Sequence, residues 1–308
     1  MSRKNEKKPT DGIQIPQIRS NIKGFQDLAK IYVSGASSLE TEIRLQMPSW
    51  FDADMMAVLG GVINLLRAQG KKVTFYWKKR LSEDRVRKIA LKNLFLKRMR
   101  YGEEKVAEDT NKTTIQFQVF QPQQDKEFND YVWQHFIPGK NGLFKMSDKV
   151  LKEFRRGIIE LYNNASDHSS TKQGIFVCGQ RFPFKEELVF MVVDLGIGVV
   201  ERIKASLGMN MSPEGALRWA FQAGNTTRKG AGGQGLKLLK EAIGLNKGSI
   251  QFVSNEGYLS IEGADENFEQ LEYPFPGTAV CIKFRTNDKN KYYFKDELNS
   301  TGSGSDEN

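Results

Sequence analysis

A chain of 308 residues is long enough to bury the cores of two ordinary domains, and 39% hydrophobic with 11% aromatic residues reads as a soluble globular protein. No apolar run approaches the roughly 20 residues that a membrane-spanning helix needs, and the opening MSRKNEKKPT lacks the apolar stretch of a secretory signal. The expectation is therefore a cytoplasmic protein with no membrane partner. The formal charge of +9 is concentrated in residues 71–105, whose basic helix face is either solvated or a surface for an acidic protein or nucleic acid.

Residues 1–20 are polar and charged and read as a disordered lead-in. From 21 to 105 the pattern alternates. KIYVSG reads as a strand and EIRLQM as another, DADMMAVLGGVINLLRAQG as a helix of about four turns, and KKVTFYW as a third strand. Asp52 or Asp54 is the expected N-cap of that helix and Gly70 its C-cap. This order predicts a small α/β domain with parallel strands. Apolar residues at 86, 89, 90, 94 and 96 predict a short basic amphipathic helix. Residues 106–145 read as a connector containing a strand, TIQFQVF, and a short helix, EFNDYVWQHFI.

The segment 146–288 carries the chemistry. SDKVLKEFRRGIIELYNNASDHSS predicts a helix with Ser147 as N-cap and Leu151, Phe154, Ile158, Leu161 and Ala165 on its apolar face. On the same helix Glu160, Asn164, Asp167 and His168 are spaced to form one polar stripe, which is either wet or turned towards a polar ligand. Two strands, GIFVCG and ELVFMVVD, lead to Asp194-Leu-Gly196-Ile-Gly198. This places a carboxylate at a strand end beside backbone that a ligand can approach closely. The loop from Asn225 holds Arg228, Lys229, Gly230, Gly232, Gly233 and Gly235 and runs into an apolar helix from Leu236. It reads either as a flexible linker or as an anion-binding helix start. It is neither a Walker A loop nor a Rossmann fingerprint. Pro276-Gly277-Thr278 opens the strand AVCIKFRT, and 289–308 read as a disordered tail. Cys178 and Cys281, inside apolar runs, read as buried free thiols, and His135 and His168 build no recognisable zinc spacing with them.

Two resemblances follow from these motifs. Residues 47–77, with Asp52 and Gly70-Lys71-Lys72-Val73, are similar to the STAS domain of bacterial anti-sigma-factor antagonists, although Ala53 and Asp54 stand where that family carries phosphorylatable hydroxyls. Residues 145–286 resemble the GHKL ATPase superfamily in four ordered segments, which match its N-box, G1, G2 and G3 motifs. Together they imply an α/β protein of two domains, STAS-like and then a GHKL (Bergerat) α/β sandwich, binding ATP and Mg²⁺. The GHKL resemblance implies Asn164 as the Mg²⁺ ligand, Glu160 as general base, Asp194 on the adenine amino group with support from Thr278, and Gly196 and Gly198 against the base. The loop with Gly232, Gly233 and Gly235 would wrap the phosphates. His168 points to the serine-kinase branch, and Asp167 also to the chaperone and gyrase branch. The functions implied are ATP hydrolysis or phosphotransfer to a protein, a nucleotide-gated switch for a protein or nucleic-acid partner, or nucleotide binding without turnover. The oligomeric state, a homodimer among the options, stays open.

Overall fold

Asn21 starts the first helix: its side-chain oxygen accepts a hydrogen bond from Gly24 N at 3.1 Å, the N-cap bond that satisfies a first-turn donor. The computed structural model describes residues 12–77, 84–102, 108–136, 145–168, 173–222, 224–225, 227, 234–287, 291–294 and 296–297. Strand β1 (Ile13–Gln14) precedes helix α1 (Ile22–Ser37), and both differ from the sequence reading. Part of the expected lead-in is folded: Ile15 and Ile18 are buried, and residues 1–11 lie outside the described residues. KIYVSG lies within α1 and is no strand; six residues fit either period, and burial of Phe25, Leu28, Ala29 and Ile31 along one side decides for the helix.

Strand β2 (Glu42–Gln46), helix α2 (Met56–Ala68) and strand β3 (Lys72–Tyr76) follow as predicted. The three strands pair in parallel in the order β1-β2-β3, as a strand–helix–strand crossover requires. Gly70, at φ +80°, ends α2 as expected. The expected cap is corrected: neither Asp52 nor Asp54 makes a side-chain bond to the helix start, because both carboxylates turn to Ser20 instead. The expected basic helix is two short ones, α3 (Arg85–Lys92) and α4 (Phe95–Arg98), broken where Leu94 adopts φ +67°.

Strand β4 (Thr114–Phe120) and helix α5 (Asp125–Tyr131) occupy the stretch read as a connector. Strand β5 (Lys145–Met146) leads into helix α6 (Asp148–His168), whose start is capped by Ser147 Oγ accepting from Val150 N at 3.1 Å. Strands β6 (Ile175–Phe182) and β7 (Glu187–Asp194) were expected. Helices α7 (Gly198–Leu207) and α8 (Pro213–Ala220) were not. Helix α9 (Gly235–Leu245) begins where the glycine-rich loop ends. Strand β8 (Ser249–Glu262) was missed, and strand β9 (Asp265–Arg285) starts well before the predicted Pro276. Strand β10 (Lys291–Tyr292) pairs with β5, so ordered structure continues into the expected tail.

The architecture is mixed α/β, with the parallel sheet and an antiparallel five-stranded sheet in the order β4-β6-β7-β9-β8. Alternation along the five strands sends side chains to two faces. Phe190, Val192, Phe252, Val280 and Ile282 join the core formed with α6 to α9. Met191, Val193, Val253, Ala279 and Cys281 join the core formed with α1 and α2. The α1 ring of Phe25 lies 6.2 Å from Tyr258 and 6.1 Å from Phe275. One continuous core thus ties the first half of the chain to one face of the sheet. Among the described residues no helix is long and apolar enough to cross a membrane.

Candidate functional site

Helix α6, the end of β7, α7, α8, the start of α9, β8 and β9 enclose a concave pocket open to solvent, the usual form of a small-molecule site. Its lining combines an apolar floor, Val192, Ile203, Phe252, Leu236 and Val280, with Glu160, Asn164, Asp194, Arg202 and Thr278. The floor follows from strand parity: Val192 and Val280 share a register pair and face the same side.

Asp194 and Thr278 are also a register pair, at the end of β7 and in β9. Both are nearly closed off, with exposures of 5% and 9%. The Asp194 carboxylate accepts from Gly196 N at 3.0 Å, which holds the turn leading to Gly198 and α7. Beside Thr278, Ser254 Oγ donates to Gly277 O at 2.7 Å, lies 3.3 Å from Thr278 Oγ1 and accepts from Val199 N at 2.9 Å. One buried hydroxyl therefore ties β8, β9 and α7 together at the pocket wall. The ladder between β8 and β9 is interrupted here: Ser254 pairs with Thr278 but Asn255 with Phe275, so Pro276 and Gly277 bulge out. Gly277 has φ +126°, and a Cβ there would lie 2.2 Å from Asp194 O. Only glycine lets the bulge close on the strand that carries the carboxylate.

Glu160 and Asn164 lie one turn apart on α6 and both line the pocket. The start of α9 packs directly against Glu160: a Cβ at Gly235 would come within 2.5 Å of Glu160 Cβ. The first turn of α9, at the positive end of the helix dipole, thus abuts Glu160 on the polar stripe of α6.

Of the residues singled out from sequence, Glu160, Asn164, Asp194, Leu236 and Thr278 meet in this one pocket, and Gly196, Gly198 and Gly235 adjoin it. Asp167 and His168 close the last turn of α6; their side chains lie outside the described residues, as do Arg228, Lys229, Gly230, Gly232 and Gly233. Sequence reasoning missed Val199, Arg202 and Ile203 of α7, although their spacing puts them on one helix face. It also missed Trp219, for which no motif gave a signal, while Asn225 and Thr227 belong to the start of the glycine-rich segment and were not assigned to the site.

No family model matches the chain, and no curated protein matches it. The site is therefore read from its own chemistry. The side-chain oxygen of Asn164 on the pocket wall suits a hard divalent cation that keeps water and phosphate as its other ligands. Among the described residues no group of three or more His, Cys, Asp or Glu forms an all-protein metal cage.

Proposed function

We propose that this pocket binds ATP with Mg²⁺, that the chain is a GHKL-type regulatory protein, and that it hydrolyses ATP or transfers its terminal phosphate to a protein. The observation that carries this reading is the convergence of Glu160, Asn164, Asp194, Leu236 and Thr278, from four separate segments, on one pocket with an apolar floor. An apolar lining suits a purine ring, and the buried Asp194 carboxylate beside it suits an amino-group donor. Thr278 backs Asp194 from the neighbouring strand. The start of α9 offers backbone N–H groups to phosphate.

Asn164 would hold the metal ion through its side-chain oxygen, and the ion when bound would neutralise phosphate charge. Glu160, one turn away, would orient and deprotonate the attacking water or hydroxyl. The first half of the chain, with parallel β2 and β3 joined through α2, would serve as a STAS-like interaction unit for a protein partner.

A second reading, a nucleotide-gated switch without kinase activity, is favoured by one observation. Strands β7 and β9 line the pocket on one face and carry α1 and α2 on the other, so a change at the pocket reaches the interaction unit through shared strands. Incubation with [γ-³²P]ATP separates the readings: label on protein supports phosphotransfer, free phosphate supports hydrolysis, and stabilisation by nucleotide with neither supports the switch. If ATP and Mg²⁺ leave the melting temperature unchanged and a fluorescent ATP analogue fails to bind, the nucleotide reading is wrong.

A further inference from the structure

A second polar cluster is sealed between α1 and the face of the five-stranded sheet opposite the pocket. Asp54 has 0% exposure; its Oδ2 accepts from Ser20 Oγ at 2.5 Å, while its Oδ1 has no hydrogen-bond donor among the described residues. Asp52 accepts from Ser20 N at 3.0 Å and Trp50 Nε1 at 2.8 Å. The carbonyl oxygen of Ser20 accepts from Gln251 Nε2 of β8 and from Lys283 Nζ of β9, each at 2.9 Å. Ala53 N donates to Gln180 Oε1 of β6 at 3.2 Å. Residues 20 and 52–54 are therefore the polar fastening between the first half of the chain and three strands of the sheet.

The charges around this fastening do not balance. Asp52 and Asp54 are two carboxylates, and among the described residues Lys283 is the one cation acting on Asp54. The remaining titratable neighbours are uncharged: Cys178 on β6, Cys281 on β9 with its Sγ 4.0 Å from Asp54 Oδ2, and Tyr258 on β8 beyond Cys281. Glu187 on β7 acts on Cys281. Ionising Asp54 leaves one buried negative charge in excess, whereas protonating it removes that charge.

We propose that Ser20, Asp52, Asp54, Gln251 and Lys283 form a proton-operated latch that seats the first half of the chain on the sheet, tight when Asp54 is protonated and loosened when it is ionised. Burial, reinforced by the negative charge of Asp52 and opposed by the Ser20 bond and Lys283, pushes the Asp54 carboxyl up from 3.8 to about 6. A group raised in this way binds its proton more tightly in the closed state, so closure weakens as pH rises between the two values and then levels off. The latch stands independently of what the pocket binds.

The chain contains 2 cysteines, and both are buried beside Asp54, so thiol labelling of the full chain reports opening of this interface. The test is the rate of reaction with dithiodipyridine, which remains reactive in acid, divided at each pH by the rate for the urea-denatured chain. The expected ratio rises about tenfold between about pH 5 and about pH 7.5, is insensitive to low urea, and stays low and level in Asp54→Asn. A level wild-type ratio, a rise that persists in Asp54→Asn, or labelling that follows global unfolding in urea would overturn the latch. If Asp54→Asn does not fold, the wild-type profile and its urea dependence decide.

Discussion

The Asp194 carboxylate holds the Gly196 turn through a 3.0 Å bond and lines the pocket, where on the proposed reading it would accept from the ligand. Asparagine keeps an oxygen for Gly196 N but loses the charge. Asp194→Asn should therefore weaken binding of a fluorescent ATP analogue at least tenfold, about 1.4 kcal/mol or more, while the urea midpoint shifts little. Glu160→Ala should abolish phosphate release and retain nucleotide binding; turnover that survives it would remove Glu160 from the reaction. Asp54 makes the opposite kind of contribution, since its ionised form opposes folding. Asp54→Asn should raise stability at pH 7.5, by up to the order of 3 kcal/mol, and change it little near pH 4, as read from urea unfolding at both values. The identities of Asp194, Glu160 and Asn164 as pocket residues were legible in the sequence because each sits where a periodic apolar pattern meets a polar exception. Asp54 was misread as a cap, since a carboxylate at a helix start looks the same in sequence whether it faces the first-turn amides or is drawn inward by a hydroxyl distant in the chain.

Elements with a long, single period were the readable ones: α2, α6 and β7 lie where their patterns put them. KIYVSG failed because its β-forming residues span too few positions to separate a strand from a helix, and contact with the sheet supplied the missing constraint. Strand β8 was hidden because most of it is buried on both faces, which erases the alternation that marks a half-wet strand. The contact between α6 and α9 is invisible to any local pattern, yet it sets the pocket wall. Gly235→Val should force Glu160 and α9 apart, lower stability by about 1–3 kcal/mol in urea unfolding, and weaken nucleotide binding in the same variant. Unchanged binding would show that the start of α9 contributes nothing to the site.

On the scale of the whole molecule, the reading of two successive domains left out the sharing of one core. Val189, Met191, Val193 and Cys281 of the sheet lie in the same cluster as Leu28, Met55, Leu59 and Val62 of the first half. Patterns within a segment announce that a face is apolar but not which distant segment covers it. Phe25, with 0% exposure, sits at this junction. Phe25→Ala should cost about 3–5 kcal/mol and keep a single cooperative transition; two separate transitions in calorimetry would mean that the halves fold independently. Strand β9 passes through both cores and touches everything described above, with Thr278 and Val280 on the pocket side and Cys281 and Lys283 beside the latch. Because neighbours along a strand point opposite ways, pocket and latch are interleaved like two messages written on alternate letters. Inserting a single residue after Val280 would exchange them over the rest of the strand, carrying an ammonium towards the pocket-side core and an aliphatic side chain into the latch. Length changes in this gene should therefore gather at the hairpin tip, residues 263–264, and be absent from the strand beyond it.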